Sequence, residues 1–444
     1  MEFGIKNLGR VKKADVALTG VTVIVGPNGC GKSTISRALM AWCSFLHQID
    51  RRIDEERIRS ISTSINRILA GNDLPTIRNI IGHGRGFWKK WLDVGYWQDV
   101  QAVVESVVRN MRPMGLLRGG DDNSPGWADG VRKCHESIRD EAMRVLSTPD
   151  VNYEFFILDS FFRKAFDGQV GTFYDDMAVM EISSVSDRDV PSKATFVNGR
   201  ARSIENNRGN HAIHAFYLEP RHLIDSYLNT NDRLGRFVEN RFSCGEDLDW
   251  FRILYSDSNM DDLTMESSIQ QERIEQSLRD IVGIIHGHLE RDGRELKFRD
   301  SDVNSLVSIR NVASGSKSMA ALIRGFQNGV IKPNDLLIID EPETNLHPEW
   351  QVAFARFLVL LNAKFNVKVL LNTHSPYFLK AVLVHSDRLE RGEFCSYYEM
   401  RPEGDGRYSA HRIDDEIEGV FKVMSEPYAK LVYGDNYERG IPRD

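Results

Sequence analysis

Gly26-Pro27-Asn28-Gly29-Cys30-Gly31-Lys32-Ser33-Thr34 brings small residues, a lysine and two hydroxyls into one short run. The spacing GxxxxGK[ST] suits one chemistry, the holding of phosphate. Glycines let backbone N–H groups converge on a phosphate because no Cβ blocks the approach. A helix that starts just after them adds the positive end of its dipole. Lys32 then reaches the β- and γ-phosphates of a nucleotide, and the Ser33 hydroxyl is placed to ligate Mg²⁺. The context fits. VTVIV (21–25) reads as a buried strand, and an amphipathic helix is expected from Ser33 to about Leu46, with Ile35, Leu39, Trp42, Cys43 and Leu46 on one stripe.

Two acids follow three hundred residues later, in LLIIDEPETNLHPEW (336–350). Leu336 to Ile339 reads as a buried parallel strand, which delivers Asp340 and Glu341 at its carboxyl end, where open α/β sheets bind ligands. Asp340 suits holding Mg²⁺, directly or through water, and Glu341 suits polarising an attacking water as general base. Taken alone, two solvent-facing acids at a strand end would read the same way. A further strand, VKVLLNTHS (367–375), ends at His374, with Ser375 as the expected helix N-cap and Pro376 as the first helical residue. At that place His374 is within the expected reach of a γ-phosphate and of the attacking water. NVASGSKSMAAL (311–322) is a second anion-binding candidate, in which Ser314, Gly315, Ser316 and Lys317 precede an apolar helix expected to begin near Ser316.

The remaining features bound the answer. The 444 residues carry a net charge of −7, which argues against a generally basic nucleic-acid-binding surface and leaves room for a local basic groove. The five cysteines (30, 43, 134, 244 and 395) show no CxxC spacing, so they read as reduced thiols in a cytoplasmic protein without structural zinc. No apolar run approaches the roughly 18 residues of a membrane span. The chain divides into an N-terminal lobe (1–50), a helical insertion (51–150), a mixed, β-rich part of the lobe (151–222), a helical segment (223–304), a motif-dense C-terminal lobe (305–390) and a tail (391–444). Asn198-Gly199 marks one hairpin and Gly404-Asp405-Gly406 another, the latter followed by a short helix. Phe87, Trp88, Trp91, Tyr96 and Trp97 beside Lys89-Lys90 either stack bases or pack the insertion, and packing is the commoner use.

In this order the motifs resemble the ABC-type ATPase superfamily, and the form DEPETNLHP resembles its branch of RecF, SMC-like and OLD (overcoming lysogenization defect) ATPases. The resemblance covers roughly 1–45 and 305–390. It implies an α/β ABC-type core, a mainly parallel sheet flanked by helices with a large helical insertion, that binds ATP and Mg²⁺. It also implies that Ser314-Gly315-Ser316-Lys317 is the signature motif, which closes on the ATP of a second protomer in a homodimer or higher homo-oligomer. Ser316 and Lys317 depart from the usual glycine and glutamine, and Lys317 either adds a cation beside the γ-phosphate or is a surface lysine. Arg221, after the strand in FYLEPR, stands near the family's Q-loop, and His347 near its D-loop aspartate. Stand-alone ATPases of this branch resemble the ATPase halves of two-gene antiphage systems, so the resemblance implies a separate effector, a nuclease or toxin. Two other readings stay open, a RecF-like DNA-clamping ATPase that touches nucleic acid and a scaffold locked by nucleotide.

Overall fold

The computed structural model describes residues 1–71, 136–137, 139–172, 174, 179–185, 191–206, 213–218, 253–254, 276, 285, 287–292, 295–302, 304–312 and 314–433. It forms two compact units, Met1–His47 with Leu158–Asp444, and Gln48–Ile157.

The first unit is built on strands β1 (Glu2–Leu8), β2 (Val11–Ala17) and β3 (Val21–Val25), followed by helix α1 (Lys32–Leu46). Helix α2 (Ile49–Gly71) belongs to the second unit, and α3 (Asp150–Ala165) runs from the second unit back into the first. Strands β4 (Met180–Val185), β5 (Pro191–Val197), β6 (Arg200–Glu205) and β7 (Ala215–Leu218) come next. Then follow β8 (Gly287–Asp292), β9 (Glu295–Asp300) and β10 (Ser305–Ser308), helix α4 (Ser314–Gln327), β11 (Leu336–Asp340), α5 (Pro348–Phe365), β12 (Lys368–Thr373) and α6 (Pro376–Arg388). Strands β13 (Cys395–Pro402) and β14 (Tyr408–Arg412) and helix α7 (Ile417–Tyr433) close the described chain.

Eleven strands form one sheet in the order β6-β5-β4-β1-β2-β14-β13-β3-β12-β11-β7. The run β13-β3-β12-β11-β7 is parallel throughout. Every residue of β3, β7, β11 and β12 is buried, as expected of parallel strands covered on both faces. On one face Val21, Val23, Val25, Leu337, Ile339, Val369 and Leu371 join Phe326 of α4, Phe354 and Phe357 of α5 and Phe378 of α6 in a single core. The other face is covered by α1, whose Trp42 is fully buried and donates from Nε1 to Ser184 Oγ of β4 at 2.9 Å. In the second unit Arg57 pairs with Asp150 and lies 5.1 Å from the Tyr153 ring centre.

Two expectations need correction. Residues 287–300 were expected within a helical segment, yet Gly287–Asp292 and Glu295–Asp300 are strands of a three-stranded antiparallel sheet, β10-β9-β8. Leu289, Leu296 and Phe298 bury one face of that sheet in strand alternation, and the sequence carries the dipeptide Asp292-Gly293 between the two runs. The tail is also part of the main sheet. β13 pairs in parallel with β3, Tyr397 opposite Val23, directly beside the phosphate-loop strand. The helix after it, α7, runs for 17 residues and is not short. Both hairpins stand where expected, Asn198 and Gly199 at φ 52° and 67°, and Gly404 and Gly406 at 82° and 80°. The aromatic group at 87–97 and Arg221 lie outside the described residues.

Candidate functional site

Strand β3 runs straight into the glycine loop, and α1 begins at Lys32, one residue before the expected start. Gly31 caps that helix at φ 103°, a conformation that suits glycine, and a Cβ there would stand 2.6 Å from Val11 Cγ2. Lys32 is only 6 % exposed, and its ammonium donates to the loop carbonyls of Gly26 (2.8 Å) and Pro27 (2.9 Å). The lysine thus arches over its own loop. Cys30 is buried beneath it, and burial pushes its thiol up against the pull of the Lys32 charge.

Sheet register brings the distant motifs into one row. Val25 stands opposite Thr373, and Asn372 opposite Asp340. The glycine loop, His374 and Glu341 therefore leave the carboxyl ends of three adjacent parallel strands, about 4.8 Å apart from one strand to the next. The core is a mixed α/β fold with its sheet flanked by helices.

Asp340 is 5 % exposed, and each of its oxygens accepts one bond, Oδ1 from Asn372 Nδ2 (3.0 Å) and Oδ2 from the Tyr217 hydroxyl (3.2 Å). Asn372 Nδ2 also donates to Ser36 Oγ of α1 at 2.7 Å. One buried amide therefore ties the helix after the phosphate loop to the aspartate. Lone pairs remain on both Asp340 oxygens, and these oxygens and the Ser33 hydroxyl are hard oxygen donors of the kind Mg²⁺ prefers. The residues fit that ion.

Glu341 adopts φ 50°, uncommon for a residue with a long side chain. Its backbone N–H donates to Asn372 O at 2.9 Å, and its Oε2 accepts from the Thr344 hydroxyl at 3.2 Å. The strand ends at Asp340, immediately before this left-handed residue. His374 follows β12 with its side chain 44 % exposed. Ser375 caps α6 as expected, its Oγ accepting from Phe378 N at 3.2 Å.

The candidate signature motif is placed differently. Helix α4 starts at Ser314, not near Ser316, so all four residues lie in its first turn. A Cβ on Gly315 would run into the Leu346 side chain, which packs the start of α4 against the segment that follows Glu341. Lys317 is 6 % exposed. The surface-lysine alternative is therefore wrong, and contact with a neighbour's γ-phosphate would require that burial to open. His347 caps α5, its Nδ1 accepting from Glu349 N at 3.4 Å.

Sequence reasoning missed Asn372, Tyr217, Ser36 and Glu343. Glu343 is 7 % exposed and accepts at Oε1 from the Thr373 hydroxyl and the His374 backbone N–H, both at 2.8 Å. The available signals were an acid inside the DEPET turn and two polar residues, Asn372 and Thr373, ending an otherwise apolar strand.

Two family models match the chain. The AAA_21 family, described as "AAA domain, putative AbiEii toxin, Type IV TA system", matches 171–380. The AAA_23 family, described as "AAA domain", matches 3–82. The two matches take in both ends of the row described above, and both describe an AAA domain. No curated protein matches the chain. Among solved structures, the SMC head domain from Thermotoga maritima is 11 % identical over 93 % of this chain and 98 % of that one, with a TM-score of 0.38. An SMC head bound to the C-winged helix domain of ScpA gives 12 % identity over 94 % and 98 %, with a TM-score of 0.41. An ATP-binding cassette of an ABC transporter in its ADP conformation gives 11 % over 98 % and 98 %, with a TM-score of 0.33. No described helix is long and apolar enough to cross a membrane.

Proposed function

We propose that the chain binds and hydrolyses ATP at sites completed by a second copy. We also propose that this ATPase is the sensing and regulatory subunit of a prokaryotic antiviral defence system that acts through a separate effector, a nuclease or toxin. The observation that carries the ATPase reading is the row of Lys32, His374 and Asp340-Glu341 at the ends of β3, β12 and β11. The defence reading draws on the motif form DEPETNLHP and agrees with the toxin–antitoxin wording of the matched family.

Each residue then has a task. Lys32 exchanges the carbonyls of Gly26 and Pro27 for β- and γ-phosphate oxygens, a swap of neutral acceptors for anionic ones. The N–H groups of the glycine loop and of Ser33 and Thr34 cradle the phosphates. Ser33 and Asp340 would hold Mg²⁺, which would supply positive charge beside the phosphates. Glu341 polarises the attacking water, with its carboxylate steadied by Thr344. His374 bonds the γ-phosphate. The first turn of α4, from Ser314 and Gly315, offers N–H groups to the ATP of the partner copy.

The test of the finer reading is a phage challenge of cells carrying this gene together with its genomic neighbours. Protection should require both Lys32 and a second gene encoding a nuclease or toxin. Protection that survives Lys32→Ala, or that this gene confers alone, would remove the sensor-plus-effector reading.

A further inference from the structure

We propose that Glu343 is a positioning residue for hydrolysis, a buried carboxylate that fixes the ring of His374 with its proton on Nδ1 and leaves Nε2 for the nucleotide. The inference rests on the reading of His374 as a γ-phosphate contact.

Glu341 reverses the chain in its left-handed conformation, and Thr344 N then donates to Glu341 O at 3.0 Å. Leu346 N donates to Glu343 O at 3.1 Å. This tight turn carries Glu343 back across the end of the neighbouring strand, β12. There its Oε1 accepts from the Thr373 hydroxyl at 2.8 Å and the His374 backbone N–H at 2.8 Å, and His374 Nδ1 lies 3.2 Å from the same oxygen. The first two contacts hold the backbone of the histidine loop. Only the third touches the ring.

An ionised carboxylate accepts hydrogen bonds and donates none. In the neutral ring, the nitrogen that faces Oε1 is then the one to carry the proton. A free neutral imidazole prefers its proton on Nε2, so the carboxylate reverses the intrinsic preference. Nε2 then remains for the exposed side of a ring that is 44 % open to solvent. This is the logic by which a buried acid orients a catalytic histidine in acyl transfer.

The second oxygen strengthens the case. Glu343 Oε2 is buried with no hydrogen-bond partner among the described residues. A buried carboxylate with one bare oxygen is costly. A glutamine of the same size could accept the two loop bonds at Oε1 without burying a charge. What the charge adds is a strong acceptor for the ring proton.

Selective ¹⁵N-histidine labelling of the full-length protein tests the assignment directly, with the His374 signals identified by their loss in His374→Ala. The expected result is a protonated Nδ1 in the wild type and a shift toward the Nε2 proton in Glu343→Gln. Glu343→Asp, which keeps the charge, should restore the Nδ1 proton. A wild-type ring protonated on Nε2 alone would overturn the proposal, and this result needs no folded variant of Glu343. Kinetics supply the second arm. Glu343→Gln should lower kcat on the order of 10- to 100-fold, with KM for ATP little changed. In a His374→Ala background the same substitution should change kcat less than about twofold, because the two residues act as one unit. An equal loss in both backgrounds would show that Glu343 acts independently of the ring and would overturn the proposal. Wild-type turnover by His374→Ala alone would instead remove the γ-phosphate role of His374, and the labelling experiment would still decide the tautomer.

Discussion

Strands β3, β12 and β11 are buried at every position, whereas β4 and β5 alternate buried with partly exposed residues and β6 has no buried residue at all. Both sets belong to one sheet. The parallel half needs cover on both faces, and after β3, β11 and β12 the chain leaves the sheet to form a helix. Each departure occurs at the same edge, and that edge gathers Lys32, Asp340, Glu341 and His374 from remote parts of the chain. The antiparallel half is assembled from sequence neighbours, β4 to β5 to β6. It contributes no candidate catalytic group. It supports α1 through Trp42 and Ser184 and packs Phe196 against Phe162 of α3, with ring centres 4.8 Å apart. One half carries the candidate catalytic groups, and the other holds the helix after the glycine loop in place.

The strongest way to break this comparison is to damage the chemical edge in two different copies. Lys32→Ala removes the charge on the β- and γ-phosphates. Ser314→Arg blocks the start of α4, which is expected to close on the partner's nucleotide. Each homodimer should be nearly inactive, with thermal stability close to wild type. In a mixed dimer, the Ser314→Arg copy supplies an intact phosphate loop and the Lys32→Ala copy an intact Ser314. Random exchange should then return activity to about a quarter of wild type if single sites fire independently. No recovery, with exchange verified by mass, would count against completion of each site by the partner.

The antiparallel half should respond in the opposite way. Phe196 is 1 % exposed, so Phe196→Ala should cost about 3–5 kcal/mol of stability. The ATP turnover of the molecules that remain folded should stay within about twofold of wild type. Chemical denaturation and active-site-normalised phosphate release measure both. A large loss of turnover at preserved stability would show that the sheet's two halves do not divide the work.

How much of this was legible in the sequence follows the same division. Lys32, Asp340, Glu341 and His374 could be named in advance because their types, spacing and position after apolar runs are local properties. Asn372 and Tyr217 could not, since their roles arise only when β12 and β7 flank β11 with Asn372 opposite Asp340 and Tyr217 opposite Ile338. Glu343 stood inside a recognised motif, but its contact with His374 depends on the turn that Glu341 makes. The pairing of β13 with β3 was invisible for the same reason, as parallel partners far apart in sequence leave no local signal. The strands at 287–300 were missed because the helical periodicity expected just before them was extended too far, past the Asp292-Gly293 signal.

The central claim is that Glu341 is the base that activates water at a nucleotide held by the loop at Gly26–Ser33. Glu341→Gln tests it most directly, with ATP affinity measured by calorimetry and turnover by phosphate release. The substitution keeps size and leaves Asp340 and Ser33 in place while removing the base. ATP should bind with wild-type affinity, hydrolysis should fall on the order of 10²- to 10⁴-fold, and an ATP-locked dimer should accumulate in sedimentation. Turnover near wild type would contradict the account and remove Glu341 from the role of base.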